Sequence, residues 1–225
     1  MSGQTWGFRA IVLATIALCI TATLKGAQGA EGQDKGSVLR VATIDKSRLL
    51  SEYKFTIKSD ADLRKEENDV VAALQTWKQN PLLTEADQKA LGELVIAEAN
   101  TPAGLTAPQK MQKQKLMDAS KAALEDQVAL SQKKVGEITA LDQEKINRYA
   151  RAASETDLRI QTRQADAQKN LQTKLNENTT KVLKDVREGV AKIAKEKGFH
   201  LVLSNDVAWY ADADLTDAVL AQINK

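Results

Sequence analysis

The sequence predicts a mainly α protein with a small β part, an α+β fold in which a long, hairpin-like helical tentacle is inserted between a first strand and two later strands of one small sheet. Three observations carry this. Strand-like apolar patches stand at opposite ends, Val38–Ile44 near the start and Phe199–Ser204 with Val207–Ala211 near the finish. Between Trp77 and Phe199 the only aromatic residue is Tyr149, too little large apolar volume for an ordinary globular core. All three prolines (Pro81, Pro102, Pro108) fall in one window; from Gln109 to Lys225 no proline interrupts the chain, so little forbids a very long helix. The resulting domain expectation is a signal peptide over 1–29, a discontinuous β-rich body over 30–46 plus 199–225, and a helical arm over 47–198 interrupted at 80–109.

The first element is the signal peptide. Arg9 supplies the basic lead, Ala10 to Leu24 the apolar run, and Ala27-Gln28-Gly29 the small residues of a cleavage site. The apolar run is shorter than the roughly 20 residues a membrane span needs. An exported, periplasmic protein is expected. Cys19, the only cysteine, lies in this segment, so the mature chain has neither a disulfide nor a thiol nucleophile. Residues 30–36 are a polar lead-in.

Val38–Ile44 follows as the first strand, and Asp45 opens a helix. Leu49, Tyr53 and Ile57, then Leu63, Val70, Leu74 and Trp77, keep a helical spacing over Ser47–Gln79. Asn80-Pro81 stops it. Thr84 to Asp87 resembles a capping box and starts a shorter helix to about Asn100. Thr101 to Gly104 is a loop, and Thr106 with Gln109 caps a new start.

From there to Lys197 the apolar stripe is thin: Leu116, Leu124, Val128, Val135, Ile138, Tyr149, Ala153 and Ile160. Leu171, Val182 and Ile193 are eleven apart, as are Leu175 and Val186, a period that favours nearly straight helices. One unbroken rod over Ala107–Lys197 would be about 135 Å long, against about 75 Å for the outward helices from Ser47 to Asn100. The long segment therefore breaks or turns once, at Gly136 or at the cap-like run Ser154 to Asp157. Gly198 ends it as a C-terminal glycine behind Lys195 and Lys197. Phe199–Ser204 and Val207–Ala211 then form two strands around the turn pair Asn205-Asp206. Thr216 caps a final helix, Asp217–Asn224, with Val219, Leu220 and Ile223 inward.

Charge and chemistry exclude several function classes. The formal net charge of +2 comes from Arg9 and Lys25; the remainder is balanced, with 19 basic against 13 acidic residues over Ala107–Gly198. Such an arm attracts anionic partners weakly and suits transient contact with a membrane surface. The mixed signs, without interleaved aromatics, argue against nucleic acid. His200 is the only histidine and reads as structural. Asp212, Asp214 and Asp217 lack the spacing of a calcium loop, and Asn178 of Asn178-Thr179-Thr180 is expected to face a partner helix rather than to carry a glycan. No catalytic constellation, metal site or cofactor is expected, and the chain is read as not an enzyme.

Lys195 to Leu203, then Trp209-Tyr210-Ala211-Asp212, then Asp214 to Leu220 resemble the Skp (OmpH-like) family of periplasmic chaperones for outer-membrane proteins. Val41 to Asp45 resembles that family's first strand. The resemblance implies a homotrimer in which small sheets assemble into one body, Val41, Phe199, Leu201, Leu203, Val207 and Trp209 serving the body and its subunit contacts. Helical arms would enclose a cavity holding unfolded outer-membrane proteins without ATP, with Trp77, Leu116, Val128, Ile138 and Tyr149 as client contacts. The insert around 80–109 makes this arm larger than the family pattern. An adaptor of the cell envelope, using the hairpin as a spacer or docking surface, is the alternative reading.

Overall fold

The computed structural model describes residues 39–208 and 210–225; the signal segment, the lead-in, Val38 and Trp209 lie outside the described residues. The fold is mainly α with a three-stranded parallel sheet, in the order β1 (Val41–Ile44), α1 (Lys46–Glu52), α2 (Lys54–Gln79), α3 (Glu85–Asn100), α4 (Ala107–Ser131), a 3-10 turn (Val135–Glu137), α5 (Ala140–Glu196), β2 (Leu201–Ser204), β3 (Ala213–Asp214) and α6 (Thr216–Ile223). The chain divides into two compact units, one of residues 39–53 with Lys184–Lys225, the other of Lys54–Leu183.

In the first unit the sheet order is β2-β1-β3, with Val41 opposite Leu201 and Ala42 opposite Ala213. Ala42 and Ile44 are buried, and they alternate with half-exposed Val41 and Thr43, as one pleated face turned inward requires. The expected hairpin of Phe199–Ser204 with Val207–Ala211 does not form. Val207 and Ala208 instead donate back to the Ser204 carbonyl in a turn. The chain then crosses to the other edge of β1, where Asp212 and Leu215 donate to the Val41 and Thr43 carbonyls. Because β2 already runs parallel to β1, a third strand on β1's far side needs this crossing rather than a tight turn.

Thr216 is the first helical residue of α6, not its cap. The Asp214 carboxylate accepts from the Thr216 N–H at 2.7 Å, and the Thr216 hydroxyl accepts from the Asp45 N–H at 2.7 Å. The expected single helix Ser47–Gln79 is two helices. Tyr53 leaves helical geometry at φ −71°, ψ 119°, its ring buried and its hydroxyl donating to Asp185 at 2.6 Å. Gly198, at φ +71°, closes α5, with the Phe199 N–H reaching the Ala194 carbonyl as in a Schellman motif.

In the second unit α3 forms as the capping signal predicts but does not run outward. It doubles back along α2: Gln88 donates to the Asn80 carbonyl and, near α3's end, Asn100 donates to Asp69. α4 then runs outward again, which removes the length mismatch. The turn falls at 132–139, around Gly136, and Ser154 to Asp157 lies within α5. Thr139 caps α5 reciprocally with Asp142: the carboxylate accepts from the Thr139 N–H and hydroxyl, and the Asp142 N–H donates to the Thr139 oxygen. Thr156 is fully buried; its hydroxyl donates to the Pro81 carbonyl and accepts from Gln88 and Arg159, tying the α2–α3 corner and α3 to α5.

Candidate functional site

Two surfaces collect the apolar groups that the folded units leave uncovered. The first is the sheet. Leu201 and Leu203 are half-buried and, by their register with Val41 and Thr43, share that half-exposed face of the sheet. β2 is an edge strand, so its outer backbone groups have no ladder partner in the sheet. Val207, Leu39 and Tyr210 are exposed nearby in sequence. Phe199 differs from this set. It is buried, with the Arg40 guanidinium 4.4 Å from its ring centre. His200 is exposed, and its Nδ1 accepts from the Arg40 N–H at 3.3 Å, a structural tie at the start of β1.

The second surface lies on the arm. Val128 is 54% exposed, while Leu116 and Ile138 are half-buried. Trp77 is half-buried between α2 and α3, its indole N–H donating to the Gln88 carbonyl at 3.0 Å and its Nε1 lying opposite Gly92. Tyr149 is buried, and its hydroxyl donates to Asp126 at 2.7 Å, pairing α5 with α4. Reading the core stripe alone misses Met111, Met117, Leu141 and Leu158, all exposed. Of these, Met117 carries a sequence signal: with Leu124 and Val128 of the apolar stripe it keeps i, i+7, i+11 spacing along α4.

That line borders an open groove of about 470 Å³, lined by Gln79 and Asn80 at the end of α2 and by Met117, Ser120, Leu124 and Val128 of α4. It sits where α2 stops and α4 continues. The charges farther along the same hairpin are pinned. Tyr149 and then Lys145 hold the Asp126 carboxyl below its ordinary range, and Lys133, with Thr139, does the same for Asp142. Neither carboxylate is poised as an acid or base near neutral pH. Among the described residues no group of three or more His, Cys, Asp or Glu side chains gathers, and no helix is long and apolar enough to cross a membrane.

The chain thus leaves one small sheet after its first strand, makes a long helical excursion and returns to the same sheet. A protein-family model described as outer membrane protein (OmpH-like) matches residues 40–223. The chain belongs to the OmpH-like family. The match opens at Arg40, beside β1 of this OmpH-like chain, and closes at Ile223, the last residue of α6. No curated protein and no solved structure matches it.

Proposed function

We propose that this OmpH-like protein is an ATP-independent periplasmic holdase that binds unfolded outer-membrane β-barrel proteins and keeps them from aggregating. The observation that carries the reading is the dispersal of Met111, Met117, Val128, Val135, Leu141 and Leu158 as exposed apolar side chains along α4, the turn and α5. Each alone is an ordinary feature of a protein surface, and together they do not form one large patch fitted to a single partner. Scattered singly, they suit weak contact at many points, tolerant of client sequence. Of the arm residues expected to meet clients, Val128 is the most open, with Leu116, Ile138 and Trp77 contributing edges; Tyr149 acts through the pairing of α4 with α5.

The β body, residues 30–46 with 199–225, is proposed to trimerise, and the arm over 47–198 to hold the client after export by a cleaved signal peptide. Val41, Leu201 and Leu203 offer an apolar face for that assembly, with Val207 exposed shortly after β2 and Phe199 buried just before it. With β3 only two residues long, the sheet is close to the minimum for independent stability, and strands from other copies would add to it.

The deciding experiment adds the mature protein, without nucleotide, to an unfolded β-barrel protein diluted from denaturant and follows light scattering. Suppression at about one trimer per client is expected, since binding the unfolded state keeps it soluble without folding it. Absence of suppression with several unrelated barrels refutes the reading.

A further inference from the structure

We propose that Met117 is a reversible oxidation site, at which a hydroperoxide converts one wall of the groove from apolar to polar. The consequence for clients rests on the holdase reading; the modification itself does not.

Sulfur chemistry singles the residue out. Beyond residue 29 the chain carries two sulfur atoms, those of Met111 and Met117, and no thiol. A thiolate would be the first target of an oxidant, so without one the reaction falls on accessible thioethers. Both methionines lie on α4, Met111 75% exposed and Met117 48%, and neither has to wait for local unfolding. A lone pair on Sδ attacks one peroxide oxygen. The S–O bond forms as the O–O bond breaks; sulfur loses two electrons to become the sulfoxide, and the hydroperoxide is reduced to an alcohol, or hydrogen peroxide to water. In the reverse direction two thiols of a methionine sulfoxide reductase remove the oxygen as water and are left as a disulfide.

Position separates the two sites. Met117 lines the groove of about 470 Å³ together with Leu124 and Val128, and Met111 does not line it. Six residues at roughly 100° each place Met111 about 120° round the helix from Met117. A sulfoxide at Met111 stands in solvent, with exposed Lys110 and Gln112 on either side. At Met117 the new oxygen is set into an apolar wall, so any apolar group seated there has to desolvate it. The charged lining residues, Lys121 and Glu125, pair with each other at 3.8 Å. The groove's apolar character therefore rests on the oxidation state of Met117 with Leu124 and Val128 beside it.

The test treats the mature protein with graded hydrogen peroxide and maps the sulfoxide by mass spectrometry. Trypsin, cutting after Lys110, Lys113, Lys115 and Lys121, puts the two methionines on separate peptides. Conversion is expected at both, faster at Met111. Fluorescence of the apolar dye 8-anilinonaphthalene-1-sulfonate and suppression of barrel aggregation are read at each dose. Both are expected to fall in step with conversion of Met117, the protein needed for half-suppression rising about threefold as one apolar contact is lost. Both should return after treatment with the two stereospecific methionine sulfoxide reductases. Each variant is compared with its own unoxidised form: Met117→Leu should lose little on oxidation, Met111→Leu as much as the wild type. A Met117 thioether that survives full conversion of Met111, an equal loss of dye binding in Met117→Leu, no recovery with the reductases, or a melting temperature that falls as Met117 is converted overturns the site. The holdase reading is judged on unoxidised wild type alone: if it suppresses no barrel aggregation that reading fails, while the peptide map and the dye still decide the site.

Discussion

Tyr53 ends α1 by a tertiary contact rather than by any local signal. Leu49, Tyr53 and Ile57 keep helical spacing, so nothing in the sequence marks a break; the phenol's reach to Asp185, 132 residues away, supplies it. Burial, and then the hydrogen bond and negative charge of Asp185, push the Tyr53 pKa up to about 12. The raised value means that the folded state holds the proton more tightly. The stability this gives is fully present below the ordinary tyrosine value of about 10 and is lost as pH rises from there toward 12. Tyr53→Phe should cost about 1–3 kcal/mol at neutral pH by removing a bond to a charged partner. The gap between variant and wild type should close above pH 10. Thermal melts of both proteins from pH 7 to pH 12 check this; a gap that stays constant with pH contradicts it.

At the scale of elements, α5 shows what a weak periodic signal can be worth. Its covered face recurs every eleven residues through Tyr149, Ile160, Leu171, Val182 and Ile193, with a second line through Thr156, Ala167, Asn178 and Gly189. That second line is made of small or polar residues, which let neighbouring helices approach closely. A Cβ at Gly189 would lie 2.6 Å from Ile223 Cγ2 and 3.5 Å from Val219 Cγ1 of α6. Gly189→Ala is therefore expected to lose about 1–3 kcal/mol despite its better helix propensity. Gly92→Ala meets its nearest atom, Trp77 Nε1, at 3.4 Å and should be close to neutral. Chemical denaturation of the two variants side by side measures the difference, and equal midpoints would contradict the close approach. The capping residues Thr84, Thr106 and Gly198 made helix ends legible because those signals are local. The direction of α3 was not, since it depends on Gln88 reaching Asn80, just past α2, and Asn100 reaching Asp69 within it. Nor was β3, two residues long and paired on the far side of β1. The reciprocal cap of Thr139 and Asp142 was readable, but Ser154 to Asp157 carries the same residue types, and only the burial of Thr156 separates them. On α4 the buried positions are Ser120 and Leu130, so Met117 and Val128 stay exposed although apolar spacing links them.

For the molecule as a whole, the proposed trimer makes a prediction independent of clients. Leu201→Asp with Leu203→Asp places two carboxylates on the half-exposed face of the sheet. The mass by light scattering should fall from trimer to monomer while the helical signal of the arm is kept, because α2, α3, α4 and α5 as far as Leu183 form the second unit. A variant that stays trimeric removes this face from the interface. The pairing of Val41 with Leu201 has a further consequence, for the order in which the protein is made. At about 5–20 residues per second, a nascent chain needs on the order of ten seconds to pass from one to the other. The helices of the arm, whose contacts include near neighbours such as Asp126 with Tyr149, have their partners much earlier. β1 emerges first and is completed last, so a chain that has made α2 to α5 but stops before Leu201 has β1 without its β2 partner.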